Sequence, residues 1–556
     1  MLLYPFRYLW WLLSRLRRSI GRPPEHVLFV LDENLPALPD PPRPFWQRFL
    51  GRPRLSVKEL GERFEAIGRD RRINGVVLHL RPVGMPMATL QDLREMVANL
   101  RSSGKRVIAW STSYTTASYY IACACDEILL MPTGVVSALG FARTETFLAE
   151  GLARFGISAD FIQVSPYKSA ADPLTKSRMS DELREQVTWL LDSQHKELVA
   201  AIAESRKLDE AGARRLVDGS PYDDDAALEK RVVDGVLGEE GLPARIASTS
   251  LGTWERASRK MRPPAPAWRR GRYVALMRIE GTIIDGQSGR IPVRPPIEVP
   301  LVGDDRAGDL TVVQVARQVA ADKRAAAAVL YVNSRGGSST ASEAMRRALQ
   351  SVAARKPLVV VMGPVAGSGG YDVATPGAWI VARPGTLTGS IGVLGGKVVT
   401  GALWTKLLFN RETIAFGDHA TINSDEKPYS DVERDIISRE VDHIYQGFLD
   451  VVAKARKMTV DQLRPNADGK VWTGRQALER GLVDEMGGLD AGVRKARALA
   501  GLSERAQVRE VRGPRRYIPP TPESAAAWFG YLLEGLTLLS NAPALCVMEY
   551  LPGELT

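Results

Sequence analysis

Short apolar runs rich in β-branched residues recur along the chain, over 27–31, 76–80 and 107–110, and again over 274–279, 329–332 and 358–362. Their length and composition predict buried strands. Between them, apolar residues at helical spacing predict helices over 90–100 and 342–353. Strands alternating with helices predict largely parallel sheets covered by helices, an α/β fold.

The pattern occurs twice. K-R-V-I-A-W-S-T-S-Y-T-T-A-S-Y-Y-I-A at 105–122 lies over P-L-V-V-V-M-G-P-V-A-G-S-G-G-Y-D-V-A at 357–374, an offset of 252 residues. The same offset sets Gly84 on Gly336, Pro132 on Pro384 and Gly140 on Gly392 without a gap. Further on, 180–192 resembles 430–442, and A-L-E-K-R-V-V-D-G-V-L-G at 227–238 resembles A-L-E-R-G-L-V-D-E-M-G-G at 477–488. The chain therefore reads as a tandem duplication of a unit of about 230 residues. The expected division is a leading segment 1–24, a first domain 25–251, a Pro/Arg-rich linker 252–271, a second domain 272–502 and an extension 503–556. Two homologous domains predict a site between them.

With 556 residues, 45% apolar and 25% charged, the chain is able to bury a substantial core. The net charge of +10 is uneven. Arg7, Arg15, Arg17, Arg18 and Arg22 fall in the first 22 residues, which contain no acid, and a second basic group spans 256–272. Neither has the interleaved aromatics or motifs of a nucleic-acid binder, so no nucleic-acid partner is expected, and anionic lipid suits the first group better. The apolar stretch before those arginines ends near Leu16 and is interrupted by Arg7. It is short of the roughly 20 residues that span a bilayer and lacks a small-residue cleavage site. It predicts an interfacial helix or short anchor, or else a helix packed on the protein itself. The apolar stretch 525–539, which contains Glu534, predicts surface association. Cys123 and Cys125 fit small buried side chains, and the five histidines show no metal-ligand spacing, so no metal or cofactor is expected.

Candidate chemistry begins at Ser368, set among glycines in P-V-A-G-S-G-G-Y-D-V-A directly after an apolar run. The first copy has Thr116 in its place and Ala117–Ser118 where the second has Gly369–Gly370, yet builds the same apolar strands. Glycine in the second copy is thus expected to serve more than folding, with backbone access to a reacting group the natural candidate. Ser368 needs a base. His419 lies in a polar loop and His443 in a charged helical pattern, and A-G-S-G-G lacks the first glycine of G-x-S-x-G. A lysine serves if burial favours its neutral form, and Lys168 in S-P-Y-K-S-A-A-D-P has the most conspicuous setting. The N–H groups of Gly336, Gly337 and Gly369, on glycine-rich turns at apparent helix starts, are candidate oxyanion donors. Ser390 in T-G-S-I-G is either a residue that orients Lys168 or a turn serine.

These motifs resemble the signal peptide peptidase A (protease IV) family in its long, duplicated bacterial form. The resemblance runs from about Glu25 to Leu502 and rests on Y-K-S-A-A-D-P, V-N-S-R-G-G-S-S-T-A-S-E, G-S-G-G-Y, L-T-G-S-I-G-V and the repeated A-L-E-R-G-L-V-D. Arg335 stands where the family usually has proline. The resemblance implies a tandem duplication of a ClpP/crotonase-like domain and a Ser–Lys dyad across the two halves, with Ser368 the nucleophile and Lys168 the general base. It implies a homo-oligomer, a tetramer, that cleaves signal-peptide remnants and other unstructured peptides. The place implied is the bacterial inner membrane, with periplasmic-facing domains, although the arginines after Leu13 favour a cytoplasmic flank. Two other readings stay open: a crotonase-like acyl-CoA enzyme, and a non-catalytic membrane-associated scaffold that binds peptides.

Overall fold

The computed structural model describes residues 4–19, 21–40, 54–137, 139–248, 250–261, 271–290, 305–513, 516–517 and 545–547. The apolar stretch 525–539 lies outside the described residues, as does most of the linker's proline-rich part. The chain forms two compact units that do not follow the sequence halves. One comprises the residues up to Ala142 and resumes at Gln194 as far as the linker; the other comprises Arg143–Ser193 and the chain from Gly271 onward.

In the first unit, His26–Leu31, Gly75–Leu80, Arg106–Tyr114 and Glu127–Val136 form a parallel sheet, with Val27, Val76 and Val107 in register. These strands are apolar on both faces because helices cover both. Helix Val57–Arg69 shows how: Ser56 and Glu59 close a capping box at its start, and Val57, Leu60, Phe64 and Ile67 make one buried stripe. Helix Met87–Ser102 buries Leu90, Leu93, Val97 and Leu100 in the same way. Cys123 and Cys125 are buried and unbridged, as their setting predicted.

The leading helix, Tyr4–Ser19, packs on the protein along one side. Its Trp11 is buried and the Arg18 guanidinium donates to the carbonyls of Ser258 and Met261, while Leu9, Trp10, Leu13 and Leu16 face solvent. Among the described residues no helix is long and apolar enough to cross a membrane.

The second unit repeats the parallel sheet with Tyr273–Glu280, Ala325–Ser334, Leu358–Gly367 and Trp379–Ala382. Helices Asp309–Ala321 and Ser339–Ala353 are part of its cover. An irregularity between Val332 and Ser334 bends the second strand at its end, as bulges do beside sites. A second sheet of this unit carries, in order, Thr282–Ile284, Gly336–Ser338, Leu545–Val547, Leu394–Val399 and Ser158–Gln163. Its last strand comes from the first sequence half.

That borrowed stretch, 143–193, is an arm built into the second unit. Ser158–Gln163 pairs antiparallel with Leu394–Val399, with Asp160 opposite Lys397. Arg434 bonds Asp160 at 2.6 Å. Leu183, Val187 and Leu190 bury themselves against Val365, Leu387 and Val471. Trp189 stacks between Tyr167 and Trp472, at 6.0 and 4.9 Å between ring centroids, and its Nε1–H donates to the Val471 carbonyl at 2.9 Å.

Candidate active site

Ser368 ends the strand Leu358–Gly367 and precedes the short helix Gly369–Asp372. Its backbone lies at φ +54° and ψ −118°, a region that side-chain-bearing residues avoid. Four contacts hold it there. The Ser368 N–H donates to the Gly389 carbonyl at 2.8 Å, and its own carbonyl accepts from the N–H groups of Tyr371 and Asp372 at 2.8 and 2.9 Å. The hydroxyl donates to the Gly392 carbonyl at 3.3 Å. Conformations of this kind cost about 1–3 kcal/mol and persist where surroundings over-determine them.

Lys168 follows the arm strand on a turn closed by its own N–H donating to the Ser165 carbonyl at 3.0 Å. The turn is seated by the Ser165 hydroxyl, which donates to the Asp468 carbonyl. Gly469 lies directly beneath it, and a Cβ there would come within 2.7 Å of the Lys168 backbone and Cβ. Only glycine leaves room for the lysine to pass. The Lys168 amine then lies 2.7 Å from Ser368 Oγ, 3.0 Å from the Ser390 carbonyl and 3.0 Å from Ser390 Oγ. Both side chains are sealed from solvent, Lys168 at 1% exposure and Ser368 at 0%.

The structure thus brings Ser368, Lys168 and Ser390 together. The expectation of a site between two domains is corrected: all three lie in one compact unit, to which both sequence halves contribute chain. Gly336 and Gly337 form a short extended strand with Ser338 rather than a helix turn, and helix Ser339–Ala353 begins just after. The Gly336 N–H donates to Ser334 Oγ at 3.1 Å, and the main chain of Leu545–Val547 runs antiparallel along this strand. Packing also constrains glycine here, so the choice of residue is not by itself a sign of chemistry. A Cβ on Gly337 would fall 1.9 Å from the Ile283 carbonyl oxygen, and one on Gly370 would fall 2.5 Å from that of Ser334. Packing alone requires both glycines. Arg335 is buried beside them. His419 and His443 are exposed.

Sequence reasoning missed Ser334, Gly469 and Asp372. Burial pushes the Asp372 carboxyl up to about 7, with Arg346 opposing the shift and Glu343 adding to it. The first copy has a relic of the same turn: Thr116 Oγ1 donates to the Gly140 carbonyl at 3.2 Å, the counterpart of Ser368 Oγ on Gly392. There, however, Thr116 opens an ordinary helix capped by Thr115. The position equivalent to Lys168 in the second copy is Ala420.

Comparison with known proteins agrees with this duplication. The model of peptidase family S49 matches twice, over 99–249 and 350–503, once in each sequence half. Protease 4 of Salmonella typhi is 32% identical over 455 residues, 78% of this chain and 70% of that protein. The chloroplastic serine protease SPPA of Arabidopsis thaliana is 29% identical over 489 residues, 84% of this chain and 69% of that protein. A solved ClpP1 from Listeria monocytogenes aligns with 39% of this chain and 94% of its own at 12% identity, with a TM-score of 0.24, too slight a likeness to argue from. The acyl-CoA and scaffold readings give way. With both halves matched and relatives alike over most of their length, the chain belongs to peptidase family S49 and is a serine peptidase.

Proposed function

We propose that this peptidase works through a Ser–Lys dyad, with Ser368 as nucleophile and Lys168 as general base. The observation that carries the reading is the 2.7 Å contact between the buried Lys168 Nζ and Ser368 Oγ. A neutral amine has two N–H donors and one lone pair. Those match the Ser390 carbonyl and Ser390 Oγ as acceptors, and the Ser368 O–H as donor once its hydrogen turns from the Gly392 carbonyl to the amine. Burial penalises an ammonium and so favours that neutral form. Ser390 in this reading orients the base.

In the reaction, Ser368 Oγ attacks the scissile carbonyl as its proton passes to Lys168 Nζ, giving a tetrahedral oxyanion. Collapse of that adduct breaks the C–N bond, and the same proton goes to the leaving amine, which leaves an acyl-enzyme. Lys168 then draws a proton from water, which attacks the ester, and returns it to Ser368 as the acid product departs. Gly336, Gly337 and Gly369 are the candidate oxyanion donors. Gly336 must first release Ser334 Oγ, and Gly337 is paired on both sides, with Ile283 and Cys546, so Gly369 is the best placed in this reading. One such donor is worth roughly 3 kcal/mol in the transition state.

The substrates are extended, unstructured peptides, signal-peptide remnants among them. Support comes from the Leu545–Val547 main chain, which lies antiparallel on Gly336–Ser338 and meets Leu394 on its other side, as a peptide bound by strand addition would. Membrane association fits the exposed apolar face of the leading helix and its arginines, and the family resemblance supports the inner membrane and a homo-oligomer, a tetramer.

Ser368→Ala and Lys168→Met should each abolish turnover of an unstructured peptide while leaving the thermal melt near that of the parent. In the parent, kcat/KM should climb with pH as the amine loses its proton. A Lys168→Met enzyme that still turns over substrate would sink the dyad.

A further inference from the structure

Two neighbouring strands of the second unit leave its parallel sheet at the same corner. Tyr273–Glu280 passes through Gly281 into Thr282–Ile284, and Ala325–Ser334 passes through Arg335 into Gly336–Ser338. The earlier strand of each pair lies in the sheet whose next strand, Leu358–Gly367, leads into Ser368. The later strand of each lies in the second sheet, where the 545–547 main chain runs along Gly336–Ser338. The corner therefore sets where a peptide added to that strand lies relative to the nucleophile.

A single side chain spans this corner. Ser334, 1% exposed, donates its hydroxyl to the Gly281 carbonyl at 2.6 Å and accepts from the Gly336 N–H at 3.1 Å. One bond goes to each crossing. The Gly281 N–H adds a third tie by donating to the Asn333 carbonyl at 3.0 Å. The main chain of Ser334 reaches the other way. It pairs with Ala366, two residues before Ser368, and its carbonyl oxygen lies 2.5 Å from where a Cβ on Gly370 would stand, two residues after. Ser334 thus grips the chain on both sides of the nucleophile and ties it to the strand proposed to hold the substrate.

The first copy lacks the device. The 252-residue offset sets Pro82 on Ser334, and the Gly84 N–H, counterpart of the Gly336 N–H, turns instead to Asn34 Oδ1 at 3.0 Å. Neither 32–40 nor 81–86 belongs to a sheet. The hydroxyl and the corner it spans occur together, in the copy that has the serine. Its bond to Gly336 is made while the 545–547 main chain occupies the same strand, so a peptide on that edge leaves the bond intact.

We propose that Ser334 is a positioning residue for peptide hydrolysis: its hydroxyl fixes the substrate strand at the distance from Ser368 that brings the scissile carbonyl within attack. It acts through Gly336 and Gly370 and not on the substrate itself. The inference rests on the reading of Ser368 and Lys168 as the dyad. Displacing reacting groups by about 1 Å costs on the order of 100-fold in rate, and loss of the hydroxyl leaves a buried carbonyl and N–H to find other partners.

Ser334→Ala removes the hydroxyl without adding bulk. With folded sites counted by phosphonate labelling of Ser368, kcat per site for an unstructured peptide should fall at least tenfold while KM stays within twofold. The inhibition constant of a peptide boronate, whose boron takes up the serine oxygen as a tetrahedral adduct, should rise at least tenfold. A kcat per site equal to the parent's, or a loss carried by KM instead, would overturn the proposal. In the unmodified chain, amide exchange at Gly336 should be slow with and without the boronate; fast exchange in the free enzyme would show that the hydroxyl holds nothing, whatever the variant's fold. Ser368→Ala tests the premise separately. If it is labelled and turns over peptide as the parent does, the dyad reading falls; if it is inert while Ser334→Ala is unimpaired, only the role of Ser334 falls.

Discussion

Ser368 and Asp372 stand one helical turn apart and carry opposite electrostatic demands. The serine sits in a strained backbone turn, and the aspartate four residues on is buried with Arg346 Nε at 3.3 Å. Desolvation outweighs that partner, so the carboxyl titrates at about 7 rather than at its ordinary 3.8. The folded state therefore binds this proton more tightly than the unfolded chain. Asp372 contributes stability that is fully present below pH 4 and is lost as pH rises towards and through about 7. Asp372→Asn removes the titration while keeping the shape. Melting temperatures at pH 5 and pH 8 should fall less in the variant than in the parent; equal falls would show that Asp372 is not the source. The sequence showed this aspartate only as one letter after the glycines, because its titration depends on burial in the fold and on Arg346 and Glu343 from another helix. Gly469 was equally silent: its requirement comes from Lys168, some 300 positions earlier.

At the scale of elements, the arm is what carries Lys168 from the first sequence half to a buried position beside Ser368. Its strand supplies the direction of approach, its aromatic stack of Tyr167, Trp189 and Trp472 ties the lysine turn to the loop that carries Gly469, and its helix supplies the apolar anchor. Leu190 is fully buried in that anchor, and truncating such a side chain costs about 2–5 kcal/mol. Leu190→Ala should lower the melting temperature and reduce peptidase activity further than the unfolded fraction explains. Hydrogen exchange should rise over 158–193 before it rises in the parallel sheets; uniform acceleration everywhere would mean that the arm has no separate stability. The strands and helices themselves were readable in advance. The runs at 274–279 and 358–362 lie inside the observed strands Tyr273–Glu280 and Leu358–Gly367, since continuous β-branched runs suit a strand covered on both faces. The extra residues at strand ends, up to Gly367, were not readable, since glycine and proline weaken the local signal.

For the whole molecule, duplication followed by divergence leaves the proposed dyad complete once among the described residues. The first copy keeps the lysine and has Thr116 at the serine position; the second keeps the serine and has Ala420 at the lysine position. Residues 545–547 lie on the edge proposed to bind substrate, so a chain ending at Gly513 should show a lower KM for an unstructured peptide with kcat little changed. An unchanged KM would mean that the tail and the substrate do not compete. The hydrophobic pattern, the repeat and the family motifs were determined by sequence alone, because strand and helix periodicity and the turn motifs are local properties. The tertiary structure alone decided which unit the arm joins, how deeply the lysine is buried, and which glycines are needed for packing. Those depend on surfaces that meet only after residues hundreds of positions apart have folded together, and no local pattern encodes that meeting.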